Sequence, residues 1–97
     1  MKQSEYLRFD AVALADLIRR KEVTAREVCD AAIVRAESVN ERLNAICYSQ
    51  FTDAQEQSPD SDGTFCGVPM LLKDHGQQQQ GHPCTYGSRG LQNNIAS

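Results

Sequence analysis

Gly67-Val68-Pro69-Met70-Leu71-Leu72-Lys73-Asp74 is an apolar run that ends in a lysine. The stretch Val-Pro-Met-Leu-Leu is apolar on both faces of an extended chain, the pattern of a strand covered on two sides. Pro69 stands near its beginning, where a missing N–H is tolerated. The run therefore predicts a strand over Val68–Lys73. An apolar strand that carries an ammonium to its own end makes that ammonium costly to desolvate, so Lys73 is a candidate for chemistry. Spacing alone also fits an ordinary strand-end lysine that reaches out to solvent along its aliphatic stem.

Upstream, helix signals are clear. Asp10 can cap a helix from about Ala11 to Lys21, with Leu14, Leu17 and Ile18 on one stripe and Arg19, Arg20 and Lys21 at its negative end. Thr24-Ala25-Arg26-Glu27 is a capping box, a hydroxyl followed three residues on by a carboxylate. It opens a longer helix in which Ala25, Val28, Ala32, Ala36, Val39 and Leu43 recur at intervals of three or four. That stripe fits packing on a core, or a seam for a partner helix, although it is short and rich in alanine for a coiled coil. Asn44-Ala45-Ile46-Cys47-Tyr48 reads as a short strand. Thr52 to Gln57 has room for one or two helical turns, and Ser58-Pro59-Asp60-Ser61-Asp62-Gly63 is a loop.

Downstream of Asp74 the chain turns polar. Gln77 to Gln80 is a glutamine tract, followed by glycines and Asn93-Asn94, with no helical or strand period, so this tail is expected to close no core. One strand that wants two covered faces, two helices and one further short strand do not complete a fold. The expected class is α/β, with 10–43 helical, 44–74 strand-containing and 75–97 a polar loop or tail. Such a piece would leave sheet edges exposed unless other layers covered them.

Composition narrows the function classes. With 97 residues the chain is one domain at most, able to bury roughly 60–70% of its unfolded surface. Net charge is -3 and mean hydropathy -0.52, with no basic patch to hold phosphates, so nucleic acid is not an expected partner. MKQSEYLRFD has no apolar run behind its charges, which argues against a signal peptide. No segment approaches the ~20 apolar residues of a bilayer span, so a membrane is not expected as a partner either. The cytoplasm is the expected compartment, and there Cys29, Cys47, Cys66 and Cys84 are read as free thiols. Cys66, His75, His82 and Cys84 have the side-chain types of a zinc site but not a usual ligand spacing, so no metal and no cofactor is expected.

In order, these features resemble the beginning of an amidase-signature enzyme. The resemblance rests on Ala15-Asp16-Leu17-Ile18 through Glu27-Val28, and on Val39-Asn40-Glu41-Arg42-Leu43-Asn44-Ala45. It continues with the strand-end motif Gly67 to Asp74 and the turn Gly81-His82-Pro83-Cys84-Thr85-Tyr86-Gly87-Ser88. It covers about Asp10 to Ser88. It implies the N-terminal part of a mixed-sheet α/β fold and hydrolysis of carbon–nitrogen amide bonds by a Ser–cis-Ser–Lys triad. Lys73 matches the triad lysine. Nothing here matches the Gly/Ser-rich region that holds the family's two serines, and Ser88 corresponds to neither. His75 and the glutamine tract depart from the small or apolar residues that many members carry after Lys-Asp.

The chemistry fits these residue types. A serine hydroxyl is a weak nucleophile until a neighbouring base takes its proton. A lysine is such a base near neutral pH only when burial or neighbouring dipoles pull its pKa down from about 10.4. Within these 97 residues alone, Lys73 is expected to be solvated, and the chain inactive for want of a nucleophile. The expected substrate is a small amide, bound by the full-length protein. The expected partners are the remainder of that protein or a second copy. The rival reading, from a different class, is a small helical interaction module that presents the Ala25 to Leu43 stripe.

Overall fold

The computed structural model describes residues 1–59, 62–74, 79–91 and 93–96. Among them stand four α-helices and one 3-10 turn: α1 Gln3–Tyr6, α2 Ala11–Arg19, α3 Ala25–Leu43, α4 Phe51–Glu56 and the turn Arg89–Leu91.

The two long helices begin where their caps place them. The Asp10 carboxylate accepts from the Ala13 N–H at 2.8 Å, taking one of the donors that a helix start leaves open. The Thr24 hydroxyl accepts from the Glu27 N–H at 3.0 Å, and the Glu27 carboxylate accepts in return from the Thr24 N–H at 3.3 Å. Helix α2 stops two residues before the expected Lys21. Lys21 adopts φ 60°, and the N–H groups of Lys21 and Glu22 donate to the carbonyls of Ile18 and Leu17. This is a Schellman end, with lysine at the left-handed position that glycine usually holds. Helix α1 had no periodic signal, being only four residues long. The Gln3 side chain ties it to α3 by donating to the Ala31 carbonyl at 2.8 Å.

The core is thin. Leu14, Ala15, Val28, Ala31, Cys84 and Ala96 are its buried apolar residues, with Val28 wholly enclosed. The radius of gyration is 14.6 Å, against roughly 12.5 Å for a compact domain of this length. Helices α1 and α4 both pack on α3, so α3 meets its own chain around Val28 and Ala31. Leu43, at the end of the expected stripe, is exposed.

Both expected strands are absent among the described residues, where the secondary structure is helical. At Asn44–Tyr48 the reason is local. Asn44 closes α3 in the left-handed conformation, φ 48°. The Asn40 side chain then takes both ladder groups of Ile46, accepting its N–H at 2.9 Å and donating to its carbonyl at 3.4 Å. At Val68–Lys73 the reason is the lack of a pairing segment. The run is neither helix nor ladder, and Met70 and Leu71 are 76% and 72% exposed, with Leu72 exposed as well.

The tail contributes more than its polarity announced. Pro83 and Ile95 form an antiparallel bridge. Around it Gly81 N–H donates to the Ala96 carbonyl at 2.8 Å, Ala96 N–H to His82 at 3.0 Å and Cys84 N–H to Asn94 at 3.0 Å. Backbone pairing, not side-chain periodicity, carries Cys84 and Ala96 into the core.

Candidate active site

Gly67 fixes the start of the strand-end motif on the helices. Its φ is 82°, and a Cβ there would stand 2.9 Å from the Ala25 Cβ and 3.2 Å from the Ile18 Cδ1. Only a residue without a side chain suits both the left-handed backbone and the gap between α2 and α3. Six residues on, Lys73 is exposed, as expected for these residues taken alone.

Asp74 is partly buried and reaches across to the second motif. The Thr85 N–H donates to its Oδ1 at 2.6 Å, and the Thr85 hydroxyl donates to its Oδ2. The Ser88 N–H closes the turn on the Thr85 carbonyl at 2.9 Å, with Tyr86 at φ 53° and Gly87 at φ 70°. Two successive left-handed residues in a closed four-residue turn follow the type I′ pattern. They aim consecutive N–H groups into one concavity, the kind of backbone nest that holds an anion. The Thr85 hydroxyl and amide, followed by the Gly87 and Tyr86 amides, hold the Asp74 carboxyl below its ordinary pKa against the opposing effect of burial.

A second latch holds the same turn from behind. His82 Nε2 lies 3.1 Å from the Asp53 carboxylate, and the Tyr48 ring meets the imidazole edge-on at 6.4 Å. Helix α4 is itself tied to α3, because the Gln55 side chain donates to Asp30 Oδ1 at 3.0 Å and Arg26 pairs with the same oxygen at 3.0 Å. These two partners, Gln55 first, lower the Asp30 pKa. His75 lies outside the described residues, as do Asp60, Ser61, Gln77 and Gln78.

The structure thus joins two motifs that lay 11 residues apart in the sequence. Lys73 itself is exposed. A groove of about 470 Å³ lies along Asn40, Glu41, Ile46, Cys47 and Phe51, and Lys73 is not part of its lining. The partnership of Asp74 was not legible in the sequence, since nothing in its spacing from Thr85 announces a contact.

The family model for amidases matches residues 27–97. The chain belongs to the amidase family. It is 43% identical over 82 residues to a putative amidase AmiC of Mycobacterium tuberculosis, covering 81% of this chain and 17% of that protein. It is 37% identical over 82 residues to the 6-aminohexanoate-cyclic-dimer hydrolase of Paenarthrobacter ureafaciens, covering 84% and 17%. Against the lipoamidase of Enterococcus faecalis it is 33% identical over 98 residues, covering 97% of this chain and 13% of that protein. This amidase-family chain therefore spans about a sixth of the length of the relatives it matches. No solved structure matches it significantly. Among the described residues no helix is long and apolar enough to cross a membrane.

Proposed function

We propose that this chain carries the general-base portion of an amide-hydrolysing site, with Lys73 as the lysine of a Ser–Ser–Lys triad whose serines lie outside these residues. The observation that carries the reading is the junction of the two motifs. Lys73 follows an apolar run and adjoins an aspartate that grips the Thr85–Ser88 turn. Matches to relatives named amidase, cyclic-dimer hydrolase and lipoamidase over these residues support amide bonds as the substrate class. In the complete protein, Val68–Lys73 pairs as a strand of a mixed sheet, and further layers cover Met70, Leu71 and Leu72. Those layers desolvate Lys73, lower its pKa and let it take the serine proton during attack on the amide carbonyl. Breakdown of the tetrahedral intermediate expels the amine and leaves an acyl-serine, which water then hydrolyses.

Acyl transfer tests this reading. The longer protein containing this sequence, given a simple aliphatic or aromatic amide and hydroxylamine, should release the hydroxamate from a shared acyl-enzyme. The 97-residue chain alone should release none. An enzyme that hydrolyses the amide without partitioning to hydroxylamine would count against the acyl-serine route. Turnover by the short chain that survives repurification and is lost in Lys73→Ala would count against the division of the triad. The interaction-module reading is less well supported, because α3 meets α1 and α4 of its own chain around Val28 and Ala31.

A further inference from the structure

We infer that Asp74 is a positioning residue: its carboxylate is the built-in anion of the Thr85–Gly87 nest, and it fixes the Gly81–Ser88 turn against the backbone that bears Lys73. The inference deepens the proposal for Lys73 and takes its purpose from it, but it stands on separate geometry.

The nest has a cost that needs an occupant. Tyr86 at φ 53° sits where an ordinary side chain is disfavoured, and the amide and hydroxyl of Thr85 just before it converge on one carboxylate. Such converging donors repel one another unless an anion lies between them. In many nests that anion is a bound ion, whereas here the chain supplies it. Both oxygens of Asp74 are used, Oδ1 by the Thr85 amide and Oδ2 by the Thr85 hydroxyl. A neutral amide side chain in the same place would offer one acceptor oxygen and would turn an NH₂ group towards the other donors.

The consequence for Lys73 is geometric. Adjacent Cα atoms are about 3.8 Å apart, so pinning the Asp74 carboxylate to the turn limits where the Lys73 backbone can stand. From the other side, Gly67 fixes the entry to the same run on α2 and α3. The turn itself is held by the antiparallel bridge at Pro83 and by His82 on Asp53. Lys73 thus stands between two anchored points, even though the residues before it form no ladder.

The test reads the clamp without reading turnover. In the 97-residue chain, labelled with nitrogen-15 and carbon-13, a coupling across the hydrogen bond should link the Thr85 amide to the Asp74 carboxyl carbon. Asp74→Asn should speed hydrogen exchange at the Thr85 amide roughly tenfold or more, as expected for loss of a charge-assisted hydrogen bond, and Asp74→Ala should speed it further. The cap amides of Ala13 and Glu27 should keep their rates in both variants. A coupling that is absent, exchange at Thr85 that is unchanged in Asp74→Asn, or acceleration spread evenly over the caps as well would each overturn the inference. Because no substrate enters, the clamp can hold while the Lys73 reading fails, and the reverse.

Discussion

Gly67→Ala should be among the most damaging single-methyl changes in this protein, and the structure separates its two causes. The first is backbone: at φ 82° an alanine enters left-handed space, which costs about 1–2 kcal/mol. The second is packing: the new Cβ would lie 2.9 Å from the Ala25 Cβ, a rigid methyl on α3, and 3.2 Å from the Ile18 Cδ1. Overpacking of this kind costs typically 1–3 kcal/mol. Together they give about 2–5 kcal/mol, a large share of the roughly 5–15 kcal/mol that stabilises a domain of this size. Gly81 supplies the control. It has the same φ of 82°, yet a Cβ there would meet nothing within 4 Å. Urea unfolding of the wild type, Gly81→Ala and Gly67→Ala should therefore give a graded series. Gly81→Ala should lose only the backbone cost, and Gly67→Ala at least about 1 kcal/mol more. Equal midpoints for the two variants would show that Gly67 is not wedged between α2 and α3, and would remove one of the two anchors assigned to Lys73.

Other expectations follow from single contacts. Thr24→Ala removes the capping box of α3 and should cost about 1 kcal/mol in urea unfolding. Val28→Ala deletes two wholly buried carbons and should cost about 2–3 kcal/mol with the cavity included, while Val34→Ala on the exposed face should stay within about 0.5 kcal/mol. Asp30 has its pKa lowered by Gln55 and Arg26, so its stabilisation is full above the ordinary carboxylate pKa and is lost as pH falls through the lower folded value. Thermal unfolding from pH 7 to pH 2 should show that acid loss, and Asp30→Asn should flatten it.

What the sequence disclosed was local chemistry with a fixed offset. Asp10 and Thr24 announced their helices because a cap and its target N–H lie three residues apart. Phe51–Glu56 matched the expected short helical stretch to within a residue. The strands failed because β structure needs a partner, and period and composition cannot say whether one is present. For Val68–Lys73 no partner strand stands among the described residues. For Asn44–Tyr48 the side chain of Asn40 had already claimed Ile46. The motif in the sequence singled out Lys73 as a candidate, whereas the grip of Asp74 on Thr85 was not legible. A contact across 11 residues of loop is set by tertiary placement, and no periodicity encodes it.

The most direct test of the account is kcat for amide hydrolysis by a longer protein that carries this sequence, measured beside its Lys73→Arg variant. If Lys73 is the triad base, arginine cannot replace it, because a guanidinium stays protonated. Turnover should then fall by roughly 10⁴-fold or more, as when a member of a comparable triad is removed. Lys73→Arg retaining more than about a tenth of wild-type turnover, a barrier change under ~1.4 kcal/mol, would show that Lys73 is a solvated strand-end lysine and would contradict the account.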